Sequence, residues 1–257
     1  MWIIDPVAFS IGPLAVRWYG LLFAGGIVVT WLLMRALAAR KSQTISVGHI
    51  DAVMFWITIG VTSGGRVGDL VFYEFDRLAE DPSLVFDFSQ GGMAFFGGLL
   101  GVAAAIVLYA RWQGLPPLQL ADIAAAATPA GLGLGRIGNF LNGELFGPET
   151  VLPWGLALTP FGHPRHPTQL YEAGLEGVLL FALVYPAAFW GKALTFPGRT
   201  AGLFMSLYAL FRIGAEFLRS EPDPFRSAGY AFSMSQLLCI PMLLLGISLW
   251  RRSLFHR

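Results

Sequence analysis

Charge is what this sequence has least of. Asp, Glu, Lys and Arg make up 13% of its 257 residues, about half the share in an ordinary soluble domain. Cysteine is nearly absent too. The one residue, Cys239, cannot form an internal disulfide, and no metal-ligand cluster surrounds it. It lies in the run LLCIPMLLL and reads as a buried, inert thiol. Neither sign of charge is in excess: 17 Lys+Arg against 16 Asp+Glu leave +1, so no nucleic-acid footprint is present. The opening MWIIDPVAFSIGP has no basic stretch and carries Asp5, Pro6 and Pro13, so no cleavable signal peptide is expected.

What fills the chain instead is apolar surface. Hydrophobic residues are 55% of the total, with 21 Phe, 8 Trp and 31 Gly, and the mean hydropathy is +0.62. A soluble protein of this size has too little interior to hide so much of it. A cytosolic globular enzyme and a disordered chain are both excluded. Seven apolar spans are expected, near 20–38, 50–73, 91–110, 119–137, 170–190, 201–218 and 233–250. The runs are continuous, not alternating, which predicts helices and excludes a barrel. The expected fold is therefore an all-α integral membrane protein with about seven transmembrane helices, one polytopic domain over 1–257. Residues 1–18 read as an arm lying on the membrane, and 138–169, rich in Gly, Pro and Trp, as a small folded head. No internal repeat is evident, which argues against a secondary transporter.

Basic residues in the short loops set the expected orientation. Nine of them, among them Arg35, Arg40, Lys41, Arg111 and Arg257, fall on one side. Five, Arg17, Arg77, Arg165, Arg219 and Arg226, fall on the other, beside an acidic loop around Glu74–Asp87. The N-terminus is expected outside and the C-terminus in the cytoplasm.

A charge in hydrocarbon costs about 2.5–3.5 kcal/mol on insertion scales, so charges within spans mark function or tight pairing. In span six, Tyr208, Arg212 and Glu216 share one helix face at i, i+4 and i+8. They form either a self-neutralised stripe or the lining of a cavity in which Arg212 meets an anion. In span two, Arg66 sits among glycines with Asp69 three residues on, readable as packing or as a site. The stretch GLGLGRIGNFLNGE carries Arg136, Asn139 and Asn142 at intervals of three, then Glu144. Its glycines allow close backbone approach, and charged and neutral donors together suit a phosphate ester. A glycine-packed helix end is the alternative. His163, Arg165 and His166 precede span five and read as surface groups. Glu172 and Glu176 lie one turn apart within that span and need partners, since like charges repel.

With these segments in hand, GRIGNFLNGELFG resembles the signature of the prolipoprotein diacylglyceryl transferases. The likeness extends over FSIGPLAVRWYG, GGRVGDLVFYEF, GGMAFFGGLLG, RHPTQLYE and the Tyr208–Arg212–Glu216 face. The resemblance implies seven membrane helices with a periplasmic arm and head, in the bacterial inner membrane. It implies transfer of diacylglycerol from phosphatidylglycerol to the lipobox cysteine of a prolipoprotein. A thioether forms and glycerol phosphate leaves. No metal or organic cofactor and no nucleic acid are expected; the partners implied are the phospholipid and the prolipoprotein signal peptide. By motif position the family's functional residues fall on Tyr19, Arg136, Asn139, Glu144, Arg212 and Glu216. Arg136, Arg212, Glu144 and Glu216 are the expected catalytic set. Tyr19, Arg66, Asn139, Asn142, Gly147, Tyr208 and His166 are the expected substrate-binding set.

At span three the family reads like S-F-H-G-G-L, with a histidine acting on the thiol. Here the stretch is AFFGGL, and Phe96 stands in the histidine's place. The anion site is intact: Arg136 and Arg212 can take a departing phosphate, and the pairs Arg136/Glu144 and Arg212/Glu216 would keep it neutral overall. Three accounts of the thiol remain. Glu144 or Glu216 is the base, or the thiol needs none, or the chain is a weakly active or inactive paralogue that binds phospholipid.

Overall fold

The structure, a computed structural model, describes residues 5–40, 44–87, 92–157, 162–220, 223–227 and 229–255. Lys41, Gly91 and Arg257, the first four residues of the arm and residues 158–161 of the head lie outside the described residues.

Seven long helices are found among the described residues: α1 Trp18–Ala38, α2 Val47–Tyr73, α4 Phe95–Gln113, α5 Pro117–Leu141, α6 Thr168–Phe189, α7 Arg199–Glu216 and α9 Met234–Phe255. Five of them, α1, α2, α4, α6 and α9, are long and apolar enough to cross a membrane by length and composition. The other two, α5 and α7, carry the polar faces of Arg136 and Arg212. Short helices fill two connections, α3 Phe75–Glu80 and α8 Pro224–Ser227, and a 3₁₀ turn spans Pro82–Phe86. The arm is an antiparallel hairpin, β1 Val7–Ile11 and β2 Leu14–Arg17, turning at Gly12 with φ 59°. It runs directly into α1 at Trp18.

The expected spans fall on these helices within a few residues. α5 continues through Gly138 to Leu141, into the first residues of the segment expected as a head. The helix stops where Gly143 adopts φ 74°, a left-handed residue just past the end that glycine tolerates without a Cβ penalty. Pro116 and Pro117 open α5, where a missing N–H costs nothing.

Without a hydrophobic drive between helices in lipid, close packing must come from small residues. Gly60, Gly64 and Gly68 of α2 face Gly97 and Gly101 of α4 so tightly that a methyl on Gly101 would overlap the Gly60 carbonyl oxygen. Gly26 of α1 meets Gly131 of α5, where a Cβ would lie 3.1 Å from the carbonyl oxygen. Gly133 of α5 meets Gly177 of α6, with 3.2 Å to its Cα. Leu32, Phe55, Leu108, Val178 and Leu244 point outward and exposed, as lipid-facing side chains should. Cys239 is buried within α9. The N-terminus of α7 is capped from another helix: the Asp122 carboxylate of α5 accepts from the N–H of Gly198 at 2.7 Å and of Ala201 at 2.8 Å. Those donors have no intrahelical partner.

The glycine contacts give a direct test. Gly101→Val is expected to lower stability by about 1–3 kcal/mol or more through overpacking, read as a fall in the thermal midpoint of the protein in detergent. Leu100→Ala, one residue along on an exposed face, should change it by no more than about 0.5 kcal/mol.

Candidate active site

The glycine contact between α5 and α6 sets two charged elements against each other. A π-helical segment, Ala173–Leu179, interrupts α6; such segments occur often at functional sites. Glu172 and Glu176 flank and occupy it, and both are fully buried. Gly177 lets this segment lie against Gly133, which brings the two carboxylates to Arg136 of α5. From the other side α7 presents Arg212.

Glu172 bridges the two arginines. Its Oε2 is 3.1 Å from Arg136 Nη1 and its Oε1 is 2.8 Å from Arg212 Nη1. A third cation, Arg219, places Nε 3.6 Å from the same Oε1. Glu176 Oε2 accepts from Arg136 Nε at 3.1 Å and Nη2 at 2.9 Å. Its Oε1 is 4.0 Å from Arg212 Nη1. Arg212 also pairs with Glu216, one turn on, at 2.6 Å, and donates to Ser235 Oγ of α9 at 3.2 Å. Among the described residues, three guanidinium and three carboxylate groups therefore meet in one buried, charge-balanced cluster. Balance is required there, because an unpaired ion out of water costs several kcal/mol.

The structure brings together Arg136, Arg212 and Glu216 of the expected catalytic set. It corrects one pairing: Arg136 is held by Glu172 and Glu176, not by Glu144. Glu144 instead accepts from the Asn139 amide at 2.8 Å, and its backbone carbonyl accepts from Gln169 Nε2. Asn139 lies on the same face of α5 as Arg136, one turn along. Asn142, at the helix end, buries Oδ1 without a hydrogen-bond partner among the described residues. Tyr19 of α1 packs on α5 at Gly138, where a Cβ would meet its ring at 3.2 Å. Tyr208 is fully buried on α7, stacked on Phe95 with centroids 4.3 Å apart. Its hydroxyl has no hydrogen-bond partner among the described residues. Phe96 is buried and meets Phe95 edge-on at 5.3 Å, so a single ring separates it from Tyr208.

Three expected residues are engaged elsewhere. Arg66 donates from Nε and Nη2 to the Leu84 carbonyl at 3.2 and 3.1 Å and lies 3.7 Å from Asp69, fastening the 3₁₀ turn to α2. Gly147 is glycine for space: a Cβ would overlap the Leu218 carbonyl and crowd Thr168 and His166. His166 lies just before α6, with Nδ1 3.2 Å from the Tyr171 hydroxyl, to which Trp154 Nε1 donates at 2.8 Å. Sequence reasoning left Glu172, Glu176, Arg219 and Ser235 outside the site. Two glutamates a turn apart in an apolar span were the available signal, since their counter-ions had to come from another element.

The cluster predicts a wide gap between two carboxylate deletions. Glu172→Ala strands buried guanidinium groups and is expected to cost about 3–5 kcal/mol. Asp51→Ala breaks the exposed Arg35–Asp51 pair, 3.1 Å apart, and should cost about 0–1 kcal/mol. Thermal unfolding of both variants in detergent measures the difference.

Residues 6–252 match the family model of prolipoprotein diacylglyceryl transferase. The chain is 45% identical over 258 residues to a phosphatidylglycerol–prolipoprotein diacylglyceryl transferase of Nitrobacter winogradskyi, covering 96% of this chain and 87% of the relative. It is 47% identical to one of Nitratidesulfovibrio vulgaris, covering 96% and 92%, and 44% identical to one of Agrobacterium fabrum, covering 95% and 90%. A buried two-arginine centre in a bundle of apolar helices, with a family match over nearly the whole length, leads to one conclusion: the chain belongs to the prolipoprotein diacylglyceryl transferase family.

Proposed function

We propose that this protein transfers the diacylglyceryl group of phosphatidylglycerol to the lipobox cysteine of bacterial prolipoproteins. The observation that carries the reading is the convergence of Arg136 and Arg212, from separate helices, on the two oxygens of Glu172. Two guanidinium groups held that close, away from water, form a strong phosphate site. They act where charge develops as the phosphate ester departs. The substrate sulfur attacks the glyceryl carbon, the S–C bond forms as the C–O bond to phosphorus breaks, and glycerol phosphate leaves with the electron pair. Acyl chains lie between apolar helix faces, while the lipid enters sideways from the bilayer.

The thiol must lose a proton, because the thiolate is the nucleophile. Phe96 cannot accept one. Glu216 is held by Arg212, whereas among the described residues no guanidinium pairs with Glu144. We assign Glu144, oriented by Asn139, as the proton acceptor. Tyr19, Asn142 and Tyr208 line the approach to the phosphate site from α1, α5 and α7. Arg66, Gly147 and His166 support the site from the 3₁₀ turn and the head. We place the protein in the bacterial inner membrane with its N-terminus in the periplasm and its C-terminus in the cytoplasm. The loop charges and an odd number of long helices support that placement. The hairpin arm, with Phe9 and Ile11 exposed, lies on the outer membrane face, beside the head formed by the chain from Asn142 into α6. Phe96 alone favours a second reading, a phospholipid-binding membrane protein that has lost turnover.

The test uses purified protein, a lipobox peptide and labelled phosphatidylglycerol. A diacylglyceryl mass gain on the peptide cysteine is expected; no gain with well-folded protein favours the second reading. Arg136→Ala and Arg212→Ala should each lower the rate by about 10²-fold or more, and full activity in either removes it from the anion site. Phe96→His should raise the rate by about ten-fold or more, toward the usual worth of a general base. In that background Glu144→Gln should matter less than it does beside Phe96.

A further inference from the structure

Both arginines of the phosphate site are already occupied by carboxylates. An anionic head group can reach Arg136 only by exchange with one of them. Three carboxylates compete, and they are held unequally. Glu172 is bound by Arg136, Arg212 and Arg219 at 3.1, 2.8 and 3.6 Å. Glu216 is fixed to Arg212 on its own helix at 2.6 Å. Glu176 is committed through one oxygen only. Its Oε2 takes the Arg136 Nε and Nη2 donors. Its Oε1 is buried and stands 4.0 Å from Arg212. Of the two carboxylates on Arg136, Glu172 also holds Arg212 at 2.8 Å, so only Glu176 can leave without parting the two arginines. Its backbone lies in the π-helical segment, whose Gly177 packs on Gly133 of α5.

We propose that Glu176 is an internal stand-in for the lipid phosphate. Its carboxylate holds the Nε/Nη2 edge of Arg136 in place and yields that edge to the incoming phosphate, while Glu172 keeps the two arginines together. The inference rests on the reading that Arg136 receives the phosphate of phosphatidylglycerol. Glu176 is thus a positioning residue, acting through Arg136. It lowers apparent affinity for the head group, because the arginine edge is free for only a fraction of the time. The exchange lets the cluster reclose once glycerol phosphate has gone, and this favours product release.

The experiment measures binding of phosphatidylglycerol to the full chain in phosphatidylcholine nanodiscs, with uncharged diacylglycerol as the control. A structural role alone would make Glu176→Gln bind worse. As a stand-in, Glu176→Gln should bind phosphatidylglycerol tighter by about ten-fold, the gain from freeing a minor state populated at about 10%. Binding of diacylglycerol should not change. In turnover, KM and kcat should fall together, and Glu176→Asp should restore both toward the parent values. Unchanged or weaker binding by Glu176→Gln overturns the proposal. If Glu176→Gln yields no folded protein, infrared difference spectra of the unmodified protein decide. Added phosphatidylglycerol should shift an arginine-bound carboxylate band, and no shift overturns the proposal. Failure of the unmodified protein to modify a lipobox peptide would count against the transferase reading alone, since these binding measurements need no turnover.

Discussion

One carboxylate organises this molecule. Glu172, buried on α6, pairs with a guanidinium from α5 through one oxygen and with a guanidinium from α7 through the other. In a low-dielectric interior such contacts are strong, and each ion left alone would be prohibitively expensive. The three helices therefore have to converge at that depth. Glycine makes the convergence sterically possible: Gly133 against Gly177 brings α6 onto α5, and the π-helical segment places Glu176 beside the same arginine. Packing and electrostatics specify one arrangement between them.

The rest of the fold serves that centre. Arg66 ties the Pro82–Phe86 turn to α2 through the Leu84 carbonyl. Gly147 lets the segment after α5 close on the Leu218 backbone just past the end of α7. Asp122 caps α7 from α5 at the far end of the helix, so α7 is anchored at both termini and its arginine is held at fixed depth. The aromatic pair Phe95 and Tyr208 closes the side that faces α4. Phe96 is buried beside that pair, edge-on to Phe95.

The helices were legible because a membrane span needs a continuous apolar run, and such runs are hard to mistake. Their ends were less so. Gly138 and Gly143 look alike in the sequence, yet only Gly143 takes the left-handed conformation that ends α5; Gly138 stays helical because the Tyr19 ring of α1 packs against it. The Arg212–Glu216 pair was readable from its spacing of four. The partner of Arg136 was not. Glu144, eight residues on, was the near choice, but α5 ends between them and Glu144 turns to Asn139.

The sequence by itself determined the solvent, the number of long helices, the family and the two arginines, because hydropathy and motif order are properties of the chain. It also announced that Glu172 and Glu176 needed counter-ions. Only the tertiary structure decided which cations those are, and that Arg219 and Ser235 join them. Ion pairing across helices depends on distance and depth, and separation along the chain carries neither. That is why residues 36 and 40 positions beyond Arg136, Glu172 and Glu176, neutralise it.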